Sequence, residues 1–360
     1  MLNFMYYCTL LLIAITCSCT FNQTDISTQA TLNIQSSPSV KMANGRWVEV
    51  PDAPTHRERH NDIWMLNDSI GWIVNGSGDV YKTHNGGMEW KLIFHKEYTH
   101  FRAVLFVDSL RGFAGNIGTD VTAGALDTIP LYQSNDGGYT WTPLQIQGKT
   151  VKGLCNFYQY NEKVIVGTGR MGGGGFFIKT TDGGKTWNAW DFSDQIGLAI
   201  DCFFTSEQEG FIFGGTDSLV RNSKPAIWKT QNGGKTWKKI YEQASTTSAT
   251  CWKICFPTPN IGYVSVLDHK NNATFIKTID AGRTWTTHSL TNAHYASKGV
   301  FFINEQQGWI GGDKDKNALY TQDGGNTWAT DSILGTSINR FRQTEKRILA
   351  IGNRIYYFNY

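Results

Sequence analysis

Proline is scarce in this 360-residue chain, with 8 in all, and charge of one sign never gathers into a block. The 33 basic and 30 acidic residues leave a formal net charge of +3. That is too little to imply a nucleic-acid or anionic-membrane partner, and there is no polyelectrolyte tail. Cysteine is also sparse. Beyond residue 19 only Cys155, Cys202, Cys251 and Cys255 remain, too few for a disulfide scaffold, and their spacing fits no zinc motif. All four stand in strand-like stretches where a thiol acts as a small hydrophobe, and no disulfide pairing is assigned.

Catalytic fingerprints are missing as well. No Gly-x-Ser-x-Gly, His-Glu-x-x-His or dinucleotide-binding pattern occurs. GTGRMGGGG (167–175) lacks the Lys-Ser/Thr ending of a phosphate loop, and DKDK (313–316) lacks the rest of a calcium loop. No metal or cofactor is expected. What the chain does hold is glycine (38) and aromatics (20 Phe, 15 Tyr, 13 Trp), with 40% hydrophobic residues. This is the composition of turn-rich, ordered β structure with a large core.

The N-terminus reads MLNFMYYCTLLLIAITCSC, an apolar run short for a membrane span. It is read as a secretory signal over residues 1–19 that resembles a lipobox, with Cys19, or else Cys17, as the acylated residue. Residues 20–43 are rich in Ser, Thr, Gln and Asn, a composition expected of a flexible tether. The expected layout is an exported globular body on a bacterial membrane surface, periplasmic or on the cell surface, held by a lipid anchor only.

That body, residues 44–360, repeats. THNGGMEW (83–90), SNDGGYTW (134–141), TTDGGKTW (180–187), TQNGGKTW (230–237), TIDAGRTW (278–285) and TQDGGNTW (321–328) are six copies of one turn. Alternating apolar stretches flank each copy, as in a β-hairpin. The third residue (Asn85, Asp136, Asp182, Asn232, Asp280 and Asp323) can accept backbone N–H groups ahead of it, and the glycines allow positive φ. Trp90, Trp141, Trp187, Trp237, Trp285 and Trp328 cover the hairpin bases.

Upstream of the hairpins a second unit recurs. It is an apolar strand, a short polar turn, then Gly-aromatic opening another strand, as in CFFTSEQEGFIFGG (202–215). Each repeat therefore reads as strands a, b, c and d. The motif tryptophans stand 43 to 51 residues apart, the period of a propeller blade. After the sixth copy, residues 337–360 supply strands a, b and c of another blade and then stop. NGRWVEV (44–50) carries Trp47 in a degenerate copy of the turn. The sequence thus predicts an all-β, seven-bladed propeller of four-stranded antiparallel blades, closed by N-terminal strand 46–50 joining the last blade.

The turn resembles the Asp-box, or BNR repeat, of sialidases and related propellers. With seven blades and a DGG-x-T-W turn in most of them, residues 44–360 look most like the photosystem II stability/assembly factor family. That resemblance implies a non-catalytic module binding a protein partner, such as a membrane-associated complex. The more distant sialidase-like and endoglucanase-like resemblances imply a glycoside hydrolase instead, and a carbohydrate-binding propeller is a third reading. A sialidase would need three arginines on its substrate's carboxylate, a Tyr–Glu nucleophile pair and an Asp acid/base. The early Arg-Ile-Pro-type segment is absent, since no arginine stands two residues before a proline. No catalytic residue is assigned.

Propeller geometry places the c–d Asp-box turns on one face and the d–a and b–c loops on the other. The latter surround the channel mouth expected to bind ligands. Its candidate binding residues are Arg102, Arg170, Asp217, Arg221, Asp268 and His269. Asp62, Asp120, Asp127, Lys224, Lys270, Asp313, Lys314, Asp315 and Lys316 add to the same mixed-charge ring.

Overall fold

The computed structural model describes residues 45–57, 59–119, 121, 124–170, 172–244, 248–270, 273–290, 297–314 and 316–359. Cys17, Cys19, the signal and the tether lie outside them, as do Asp120 and Asp315. Among the described residues the chain is β-structure with one 3-10 turn, Val220–Asn222. No helix there is long and apolar enough to cross a membrane.

Seven sheets form a ring. The innermost strand a of each blade is, in order, His60–Met65, Phe101–Phe106, Asn156–Gln159, Leu198–Phe204, Ala249–Cys255, Ser297–Phe302 and Arg340–Gln343. The seventh sheet runs Arg340–Gln343, Arg347–Ile351, Ile355–Asn359 and then Trp47–Glu49. Trp47 pairs with Phe358 and Glu49 with Tyr356, antiparallel. The N-terminal strand therefore supplies strand d of the last blade, which closes the ring and covers an edge that would otherwise be open.

Blade 3 differs from expectation. It has five strands, because Gln147–Gly148 adds itself parallel to the outer strand Asn188–Asp191. The segment that leads there alternates Leu144 and Ile146, and both pack on the blade 2–blade 3 core. The apolar alternation expected of strand d thus continues onto the neighbouring blade's edge.

The core lies between adjacent blades. Trp72 of blade 1 stacks on Phe106 of blade 2, and Tyr263 of blade 5 on Phe302 of blade 6, each with ring centroids 3.6 Å apart. In these two blades the Gly-aromatic unit of strand b thus faces a strand a aromatic of the next blade.

The Asp-box turns take the hydrogen bonds their letters call for. In TTDGGKTW the Thr186 N–H and hydroxyl donate to Asp182 at 3.0 and 2.6 Å. The Thr180 hydroxyl also donates to Asp182, at 2.7 Å, and its oxygen accepts the Gly184 N–H at 2.9 Å. Two further functions were not visible in the sequence. The fourth residue of each copy donates its N–H to the a–b turn of its own blade, as Gly183 does to Lys163 and Ala281 to Asn260, both at 2.9 Å. The fifth residue, always glycine, meets the preceding blade. A Cβ on Gly184 would stand 2.1 Å from Phe113, and one on Gly282 2.7 Å from Phe211. Trp187 packs on the same Phe113, and Trp285 on Phe211. The motif is an inter-blade joint as well as a turn.

Candidate functional site

Each strand a carries at least one polar residue turned away from bulk water, among them Asp62, Arg102, Asn156, Asp201, Lys253, Lys298 and Arg340. They meet across the central channel. From blade 7, Arg340 donates Nε to Asp62 of blade 1 at 2.9 Å and Nη1 to Asp201 of blade 4 at 3.0 Å. Its Nη2 donates to Asn156 of blade 3. From blade 2, Arg102 donates to Asn61 at 3.0 Å and lies over the Trp252 ring of blade 5, 4.9 Å from its centroid. Trp252 donates to Asn339 at 2.9 Å, and Lys298 pairs with Asp313.

A charge withdrawn from water needs a partner. Asp62 and Asp201 have theirs, since Arg340 binds both. Their other oxygens accept the backbone N–H of Val104 and of Cys202, each at 3.0 Å. Burial opposes the charge on Arg340, but the two aspartates outweigh it and hold the guanidinium above its ordinary pKa. Burial lowers Arg102, and it lowers Lys253 to about 7 and Lys298 to about 8.

Beneath this layer lies a cavity of about 680 Å³. Asn156, Asp201, Lys253, Asn339 and Arg340 line its deep end. Trp64, Tyr158, Phe203, Phe256 and Arg342 line its walls, and Asn67–Ile70, Pro257, Thr344 and Glu345 of the a–b turns its mouth. The Asp-box turns are hydrogen-bonded to those a–b turns, so the cavity opens on their face. The opening expected from the sequence was on the other one.

The residues singled out in the sequence are spread over blades 1 to 6. Arg102 is buried and belongs to the channel layer, as does Asp62. Arg170 is buried in the b–c loop of blade 3, where it donates to the Thr119 carbonyl at 2.7 Å. Asp217 accepts the Leu219 N–H at 2.8 Å, and Arg221 is exposed on the 3-10 turn. Asp268 is buried and accepts the Lys270 N–H at 2.7 Å, while His269 is exposed. Asp127 accepts the Thr99 and Tyr132 hydroxyls at 2.7 and 2.6 Å, and Lys224 pairs with Glu242 at 3.4 Å. Lys270, Lys314 and Lys316 are exposed on their loops. Most of these groups fasten the loop that carries them.

Sequence reasoning missed Asp201, Lys253, Arg340 and Arg342. The available signal was a single charge inside an otherwise apolar strand in IDCFF and CWKICF, and a pair of arginines in SINRFRQ. Cys155, Cys202, Cys251 and Cys255 are free thiols. Burial pushes Cys251 and Cys255 up to about 12, so neither is a reactive thiolate.

Comparison with known proteins places this geometry among propellers. A family model described as Sortilin, neurotensin receptor 3 (Sortilin-Vps10) matches residues 130–255. No curated protein matches in sequence. YCF48 bound to D1 peptide superposes with a TM-score of 0.63 at 17% identity, covering 90% of this chain and 99% of that one. YCF48 from Cyanidioschyzon merolae gives 0.64 at 16% identity, covering 87% and 99%. An ancestral GH74 enzyme gives 0.61 at 14% identity over 87% of this chain, which spans 46% of the enzyme's length. The chain is thus an Asp-box propeller similar in fold both to YCF48 and to GH74 enzymes.

Proposed function

We propose that this propeller is a non-catalytic binding module that captures a segment of a protein partner, displayed on a membrane surface by an N-terminal lipid anchor. One observation carries the non-catalytic part. Asp62 and Asp201 of the channel layer, the second of which lines the cavity, both accept from Arg340 and from a backbone N–H. Glycoside hydrolysis needs two carboxyl groups free to reach the substrate, and the hydrogen bonds of Asp62 and Asp201 to Arg340 and to the backbone occupy both. The solved YCF48 with a bound peptide supports a protein ligand.

A carbohydrate reading draws on the GH74 likeness and on the aromatic cavity walls. The two readings separate on one experiment. The full chain serves as bait for cross-linking capture from membranes, beside screens against sialosides and β-glucans. Specific protein capture without turnover supports the proposal, and turnover overturns it. For the anchor, labelling with a fatty acid is expected to vanish in Cys19→Ser, or in Cys17→Ser if that residue is acylated. Labelling that survives both substitutions refutes the anchor.

A further inference from the structure

The channel carries more buried positive charge than its own carboxylates neutralise. Asp62 and Asp201 are taken up by Arg340, and Lys298 by Asp313. The Lys253 side chain is 4% exposed, and its amine stands 3.9 Å from Asp201, beyond hydrogen-bond reach. Arg342 donates Nε to the Ile63 carbonyl at 3.1 Å and rests on the Trp64 ring, 4.7 Å from its centroid. Its two terminal nitrogens have no hydrogen-bond partner among the described residues, and both Arg342 and Lys253 line the cavity. The other charges lining it are Asp201 and Arg340, already joined, and Asp68 and Glu345 at the mouth. Lys346 engages Asp68 through its backbone N–H at 3.1 Å and its amine at 3.9 Å.

We propose that Arg342 and Lys253 bind a carboxylate inside the channel cavity, with its organic portion against the rings of Tyr158, Phe203 and Phe256. A planar guanidinium with free terminal N–H groups matches a carboxylate edge to edge. The rings come from three successive blades, with centroids 5.3 Å apart for Tyr158 and Phe203 and 4.6 Å for Phe203 and Phe256. Burial, with Arg340 nearby, already lowers Lys253 to about 7 and Arg342 to about 10, so an incoming anion relieves a strain the fold imposes. The carboxylate can belong to a free organic acid or to an acidic side chain or C-terminus of a protein segment.

Calorimetric titration of the full chain with benzoate, a glutamate-rich peptide and its glutamine counterpart tests this and separates the sources. Saturable binding of benzoate or of the glutamate peptide is expected to weaken at least about tenfold in Arg342→Gln and to recover in part in Arg342→Lys. Benzoate binding indicates a free acid; binding of the glutamate peptide alone indicates a protein segment. If Arg342→Gln does not fold, Lys253→Met is read the same way. Binding unchanged in the variant, equal binding of the glutamine peptide, or no binding of either acidic probe overturns the site. The site stands apart from the protein-partner reading. Benzoate binding with no captured partner keeps the site and removes the partner, and capture unaffected by Arg342→Gln with no carboxylate bound does the reverse.

Discussion

At the residue scale, the side chains with the clearest consequences are two buried histidines and one alanine. Burial lowers His60 to about 4 and His100 to about 3 from an ordinary 6.5. His100 also accepts from Asn61 at 2.9 Å and is repelled by Arg102. Both folded values are depressed, so their contribution is complete above 6.5 and is lost as pH falls toward the folded values. Denaturant unfolding between pH 7 and 4 is expected to show stability falling by up to about 1.4 kcal/mol per pH unit for each histidine. A flat profile contradicts this. A second decline is expected between the ordinary Asp value and about 2. There Asp182 and Asp280, held low by threonine and backbone hydrogen bonds that outweigh burial, take up protons.

Ala281 holds the fourth position of its Asp-box at φ 60°, where the other copies have glycine. Ala281→Gly should raise stability by up to about 1–2 kcal/mol by removing the left-handed penalty. Gly282→Ala, at φ 76° and against Phe211, should cost about 2–4 kcal/mol. Thermal unfolding of the two variants should therefore move in opposite directions.

At the element scale, the N-terminal strand holds the ring shut. Trp47 is 3% exposed and lies among Trp309, Phe341 and Phe358, with centroids 5.4, 5.9 and 5.3 Å away. Trp47→Ala should lower stability by about 3–5 kcal/mol. Removal of the chain through Val50 should expose the edge of Ile355–Asn359 and produce oligomers on size-exclusion chromatography. A truncated chain that stays monomeric with unchanged stability would refute strand exchange as the closure.

Blade number and closure were legible because each blade repeats one turn and because Trp47 falls in phase with the others. The fifth strand of blade 3 was not legible. Leu144 and Ile146 show the same alternation whether they extend their own blade or reach the next one. The inter-blade contact of Gly184 was hidden for a similar reason. The sequence records that no Cβ is tolerated there, and positive φ alone accounts for it.

At the scale of the whole molecule, the repeats describe the wall and the exceptions to them describe the channel. Arg102 and Asp62 could be singled out from sequence as charges near strand starts, but their partners could not. Arg340 reaches blades 1, 3 and 4 only because the ring brings first and last blades together. Nor does periodicity say which mouth of the channel holds the cavity, since that depends on how far each strand a side chain extends. The central claim is a binding propeller whose channel aspartates are locked by Arg340 and do no acid–base chemistry. It is tested most directly by incubating the purified full chain with sialosides and β-glucans and measuring released sugar. The account predicts no turnover above buffer. Turnover that Asp62→Asn or Asp201→Asn abolishes would contradict it.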